Sequence, residues 1–288
     1  MSVFLLHFFK EKSRSFDYER LLSFFDEVSE AKMADVSETS SEVRIEYRHP
    51  VLRTKADFII SRKSTVHDIY KLDPQYLDVN FRLEMPLMTP FYSAKKVFDI
   101  VDKLCKEFNF AVYHNLFEDV LKFKMEVVEK VFDIDRKKYR EKYGYQLTNY
   151  YYYPDHKLND CLKYVDEQYD LHRYYKELDV YVPNYFVVVD DQDKVHFTVE
   201  WRENTLTLFP PHIDYIYYRV GLENKILPYD EVMAKIEKMT VSVPGFLQNT
   251  KVIEHKALKK VMKILKKSKF TLINQSLVHI EIDQVMDI

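Results

Sequence analysis

Glycine is nearly absent from this chain, with three in 288 residues, at Gly144, Gly221 and Gly245. Average proteins use it at roughly 7%. The three never lie close together, so no GxGxxG, GxxxxGKS/T or GxSxG string can be written. Backbone cradles for phosphate rely on residues without a β-carbon, and nucleotide-binding loops of that kind are excluded. Cysteine is nearly as scarce. Cys105 and Cys161 form no CxxC pair, which excludes a thiolate zinc site. Both fall at apolar positions of predicted helices and read as buried thiols in a reducing compartment. No HExxH occurs, so a zincin is excluded. Long apolar runs are also missing. The N-terminal run is broken by His7 and ends at Lys10, too short to cross a bilayer, and no small-residue cleavage site follows. The chain reads as cytoplasmic.

What remains is the composition of a soluble globular protein: 47% hydrophobic, 31% charged, with a net charge of -3. Tyrosine and phenylalanine, 23 and 20 residues, stand against one tryptophan. The length suggests two domains.

In the first half, 3–9 is an apolar run of strand type and 16–28 repeats with helical spacing. Residues 29–42 are polar and read as a loop or a frayed helix end. Strands are predicted at 43–48, 56–61 and 76–85, the last alternating cleanly before Pro86 and Pro90. A helix follows Ser93, with Val97, Phe98, Val101, Leu104, Cys105 and Phe108 on one face. A short strand at 110–113 and a helix over about 116–141 complete the order β-α-β-β-β-α-β-α. In the second half, a helix over 157–178 precedes strands at 185–189, 195–201, 205–209 and 213–220. A short helix, a long helix over 253–269 and a strand over 270–282 close the chain. The fold class is α+β, two domains with mainly antiparallel sheets covered by helices. The predicted limits are 1–144 for the first domain, 145–180 for a tyrosine-rich connector and helix, and 181–288 for the second domain.

Few strings carry chemistry. His67-Asp68, with His49 upstream, has part of an HD-type metal pattern but no second aspartate, and reads as a loop pair. Asp190, Asp191 and Asp193 lack the glycine and distal glutamate of a calcium loop and read as turn formers. In the string FPPHIDY, His212 and Asp214 are two residues apart. On an extended strand they would share a face and could form an acid-base dyad. A hydrolase using that dyad is one alternative function.

The tail helix carries the strongest charge signal. Between Lys251 and Phe270 eight lysines meet one carboxylate, Glu254. Lys256, Lys259, Lys260, Lys263, Lys266 and Lys267 are candidates for binding nucleic-acid phosphates or an anionic membrane surface. An ordinary surface helix with its apolar stripe on the core explains the same pattern. Tyr150, Tyr151, Tyr152 and Tyr153 are a second candidate surface, able to stack on bases or anchor an interface. Their place at the predicted boundary equally suits contacts between domains.

The order of elements in 1–142, and the apolar pattern of 78–132 in particular, resembles the C-terminal domain of the bacterial cell-division protein ZipA. The carriers are the strand ending at Met85-Pro86, the helix with Phe98, Val101 and Cys105, the strand to Tyr113 and the helix after it. Ferredoxin-like folds share that order. The resemblance implies a non-enzymatic adaptor that binds the tail peptide of the division tubulin FtsZ on an exposed apolar sheet face. No binding residue of that family falls on a matching motif. The glycine pair expected before the last helix is absent, and a second domain follows. The expectation is a cytoplasmic protein-binding adaptor without a cofactor, acting in cell division or another envelope-proximal assembly.

Overall fold

A computed structural model of the chain describes residues 2–34, 42–243 and 245–288. It divides into two compact units, the first reaching Leu147 and the second spanning Thr148–Asp287. The fold is mixed α and β, with several antiparallel sheets and six α-helices among the described residues. Among the described residues no helix is long and apolar enough to cross a membrane.

The first unit contains β1 (Val3–Glu11), α1 (Tyr18–Asp26), β2 (Ala31–Met33), β3 (Glu42–Arg48), β4 (Lys55–Ser61), β5 (Tyr76–Pro86), α2 (Phe91–Phe108), β6 (Ala111–Tyr113), β7 (Leu121–Lys122) and α3 (Met125–Tyr143). Its strands form one antiparallel sheet in the order β2-β3-β4-β5-β1-β6-β7. Alternation along β1 sends Phe4, Leu6 and Phe8 into the core and Leu5 and His7 to the other face. Phe4 meets Phe98 of α2 and Phe132 of α3 edge-on at 5.8 and 5.3 Å, and Phe8 stacks on Phe81 at 4.7 Å. Asp17 caps α1, its carboxylate accepting the Glu19 N–H at 2.9 Å. Asn109 ends α2 in the left-handed conformation at φ 52°.

Two details depart from the expected elements. The loop 29–42 contains the strand β2, while 35–41 lie outside the described residues. The helix expected from about 116 begins at Met125. Val120 instead joins a small cluster with Phe9, Val66 and Ala111, and Leu121–Lys122 pairs with β6. The Asp119 carboxylate holds this turn by accepting from the Asp73 and Val120 N–H groups.

The second unit contains β8 (Tyr151–Tyr152), α4 (Asp155–Tyr175), β9 (Val180–Tyr181), β10 (Tyr185–Val189), β11 (Val195–Arg202), β12 (Leu206–Phe209), β13 (Tyr215–Val220), β14 (Glu223–Pro228), α5 (Tyr229–Ile236), β15 (Thr240–Ser242), β16 (Lys251–Ile253), α6 (Leu258–Lys267), β17 (Val278–Ile280) and β18 (Val285–Met286). A five-stranded sheet runs β14-β13-β11-β10-β17, and a four-stranded one runs β15-β16-β12-β9. β11 and β13 are parallel because β12 leaves for the smaller sheet between them. Trp201, Phe209, Ile216, Val232, Ile236, Val261 and Leu265 form the main core, and the Trp201 indole donates to the Thr205 carbonyl at 3.1 Å. The long tail helix is shorter than expected. Residues 251–253 pair as β16, and α6 starts at Leu258. Of the expected final strand only Val278–Ile280 pairs. Pro244, of the expected Pro244-Gly245 turn, lies outside the described residues.

Scarce glycine is replaced at turns. Nine described non-glycine residues have positive φ, and seven of them are Asn or Asp, whose short polar side chains tolerate that region best. Gly221, at φ 57°, serves the β13–β14 hairpin.

Candidate functional site

The His212–Asp214 dyad is not formed. His212 has φ 58°, a left-handed residue after Pro210-Pro211, and β13 begins only at Tyr215. The same-face rule for residues two apart requires extended backbone, so the two side chains separate. His212 Nε2 lies 2.8 Å from Asp160 Oδ2 on α4. Asp214 instead accepts the Phe197 N–H at 3.1 Å and faces His196 Nδ1 at 3.6 Å. His196 Nε2 lies 3.1 Å from Asp190 Oδ2. Burial opposes charge on His196, but the Asp214 and Asp190 carboxylates outweigh it and hold its pKa above the ordinary histidine value. Asp190 also accepts the Gln192 and Lys194 N–H groups, as an aspartate at a hairpin turn does. Among the described residues no group of three or more His, Cys, Asp or Glu is placed to hold a metal ion. Cys105 and Cys161 are buried, and burial pushes both thiols up.

The tyrosine run is divided by its surroundings. Tyr151 and Tyr152 pair in parallel with Val285 and Met286. Tyr152 is exposed, Tyr150 and Tyr151 are half-buried, and Tyr153 is buried with its ring 4.9 Å from Phe197. The four therefore present no continuous aromatic surface, because Tyr153 belongs to the core. In α6, Val261, Met262 and Leu265 are buried, which consumes the apolar stripe. Lys266 pairs with Glu203 at 2.9 Å and Lys256 with Glu254 at 3.3 Å. Lys259, Lys260, Lys263 and Lys267 stay exposed.

The outer face of the five-stranded sheet carries a surface with no counterpart in those strings. Phe186 and Val188 of β10, Glu200 of β11 and Tyr217 and Arg219 of β13 point to this face, by the register of the ladder. Together with Leu277 they line a groove of about 300 Å³. Phe186 and Tyr217 meet edge-on at 6.5 Å. Glu200 is held by Arg202 at 3.0 Å and neighbours Arg219 at 3.8 Å, and the Arg202 hydrogen bond holds its carboxyl below the usual range. Phe186 is exposed on this face, and Leu222 at the hairpin tip is 98% exposed, whereas Val278, opposite Val189, belongs to the other face. The segment 271–275 crosses beside the groove. Its Ile273 N–H donates to the Ile226 carbonyl, and Gln275 donates to the Tyr215 hydroxyl.

The first unit presents a different sheet face. Arg44 and Arg48 pair with Asp57 at 2.7 and 2.9 Å, and Arg82 pairs with Glu84 and Glu42 at 2.7 and 3.0 Å. That face is charged where the adaptor resemblance implies an apolar one. The Phe186 groove was not legible from strings, because its residues come from five separate segments. The signal available was the alternation in 185–189, which sets Phe186 and Val188 opposite Val187. No family model, curated protein or solved structure matches the chain.

Proposed function

We propose that the chain is a protein-binding adaptor whose docking surface is the outer face of the five-stranded sheet. The carrying observation is the aromatic groove of Phe186 and Tyr217, with exposed Leu222 at the tip of the β13–β14 hairpin that borders it. Exposed apolar side chains clustered on one face, beside polar groups, mark interaction surfaces. A cavity of about 300 Å³ accepts one or two apolar side chains of a partner, with Glu200 and Arg219 beside it to orient a polar backbone. The proposed place of action is the cytoplasm. A division-tubulin tail, the partner implied by resemblance, would meet the charged face if it bound the first unit, so the groove of the second unit is the better-supported site.

The test uses the full chain as bait in lysate of its own cells. Leu222→Glu with Phe186→Glu alters exposed side chains and leaves the fold intact. The wild type should enrich a specific protein, and the double variant should lose it about tenfold or more. Equal recovery by both baits would remove the groove from the account.

A second reading has its own observation. Lys259, Lys260, Lys263 and Lys267 form an exposed basic face on a helix whose apolar side is already packed. Such a face suits electrostatic attraction to a polyanion and not insertion into a bilayer. Binding of this kind falls steeply with salt.

A further inference from the structure

The charges beside the Phe186–Tyr217 groove do not balance. The guanidinium groups of Arg202 and Arg219 meet one carboxylate, that of Glu200. Arg202 takes both oxygens of it, Nε lying 3.0 Å from Oε1 and a terminal nitrogen 3.3 Å from Oε2. Arg219 is left 3.8 Å from Oε1, beyond hydrogen-bond length. Its side chain is half-exposed, and its guanidinium, a fork of five N–H donors, has no hydrogen-bond acceptor among the described residues. Glu200 is the only carboxylate among the described residues that line the groove. Glu223 of β14 stands opposite Val220 and so belongs to the other face. One positive charge is therefore in surplus here, and Arg219 carries it.

The spacing of the groove adds a second constraint. Arg219 follows Tyr217 by two residues on the same face of β13. Same-face side chains of an extended chain are about 6.5–7 Å apart. An extended partner segment has the same step. An apolar side chain set against Phe186 and Tyr217 brings the side chain two positions along it over Arg219. Asn224 of β14 is directly opposite Arg219 and also lines the groove, so its amide can donate to the same acceptor.

On the reading of this face as a protein-docking surface, we propose that its occupant is an extended acidic segment. An apolar side chain of that segment fills the groove, and an aspartate or glutamate two positions away pairs with Arg219. Such a pair is charge-assisted and can be bidentate, a more specific partner for Arg219 than a backbone carbonyl. A nucleic acid suits the face less well. One surplus charge serves one carboxylate, whereas a nucleic-acid strand calls for several cations along its phosphates.

The test titrates the full-length protein, followed by NMR, with two short capped peptides. Both carry a phenylalanine, and two positions from it one has an aspartate and the other a lysine. A short single-stranded oligonucleotide is the third probe. At up to about 2 mM, the aspartate peptide should shift the resonances of Phe186, Tyr217 and Arg219. It should bind at least about fivefold more tightly than the lysine peptide. Arg219→Gln, a change at an exposed side chain, should erase that preference. Equal binding of the two peptides overturns the inference and leaves the groove a docking site, as does a preference that persists in Arg219→Gln. Tighter binding of the oligonucleotide at the same residues overturns it in favour of a nucleic acid. If neither peptide moves these resonances the inference falls, while the docking reading is judged separately by the paired baits that differ at Phe186 and Leu222.

Discussion

His212 meets Asp160, 52 positions away in the chain, at 2.8 Å, and not Asp214 two residues along. The contact ties the loop before β13 to α4. It also removes the one acid-base pair that the sequence offered. A double-mutant cycle checks it. His212→Ala and Asp160→Ala should show a coupling of about 0.5 kcal/mol, modest because the aspartate is partly exposed. His212→Ala and Asp214→Ala should be additive. A larger coupling between His212 and Asp214 would contradict this geometry.

The depressed pKa of His7 sets an acid limit on the first unit. Burial first, then Arg82, lowers the folded value to about 4, from the ordinary histidine value of 6.5. Between those two pH values the unfolded chain binds the proton and the folded chain does not. Stability is therefore present above pH 6.5 and lost as the pH falls toward 4. The loss approaches about 3 kcal/mol. Denaturant melts at pH 7 and 4.5 should show it, and His7→Leu should flatten the dependence.

His196 has the opposite sign. Its folded pKa is raised by Asp214 and Asp190 against its burial. That stabilisation is fully present below the ordinary histidine value, and is lost as the pH rises through the raised one. His196→Gln should cost about 1–3 kcal/mol at pH 5.5 and less at pH 9. A cost that grows with pH would show that the two aspartates do not hold the ring charged.

The tail helix separates packing from charge. Leu265→Ala removes a buried side chain and should cost about 2–5 kcal/mol. Changing Lys259, Lys260, Lys263 and Lys267 together to Gln should move stability by only about 0.5 kcal/mol. If the polyanion reading holds, the same quadruple change abolishes salt-sensitive retention on heparin. Retention unchanged by the four substitutions removes that reading.

Much of the first unit was legible because its pattern is local. Alternation along β1 and β5 and the Val97–Phe98–Val101–Leu104 stripe of α2 needed no tertiary knowledge. The start of α3 was not, since Val120 and Leu121 fit a helical stripe equally well. Their contacts with Phe9 and β6 decide the matter. The second unit hides more, because β8, β9 and β18 are two-residue pairings that leave no periodicity. The left-handed turn at His212 defeats any rule based on spacing. The burial of His7 on the far face of β1 is legible too. His7 is the one polar residue within an apolar strand, and alternation alone places it opposite Phe8 on the far face.

The claim that matters most is that the sheet face around Phe186 docks a protein. A photo-crosslinking residue placed at Leu222 or at Phe186 in the full chain, inside its own cells, tests this directly. The account predicts one discrete crosslinked protein shared by both positions and absent when the same residue replaces Lys130 on α3. Crosslinks equally abundant from Lys130, or none from either Leu222 or Phe186, would contradict it.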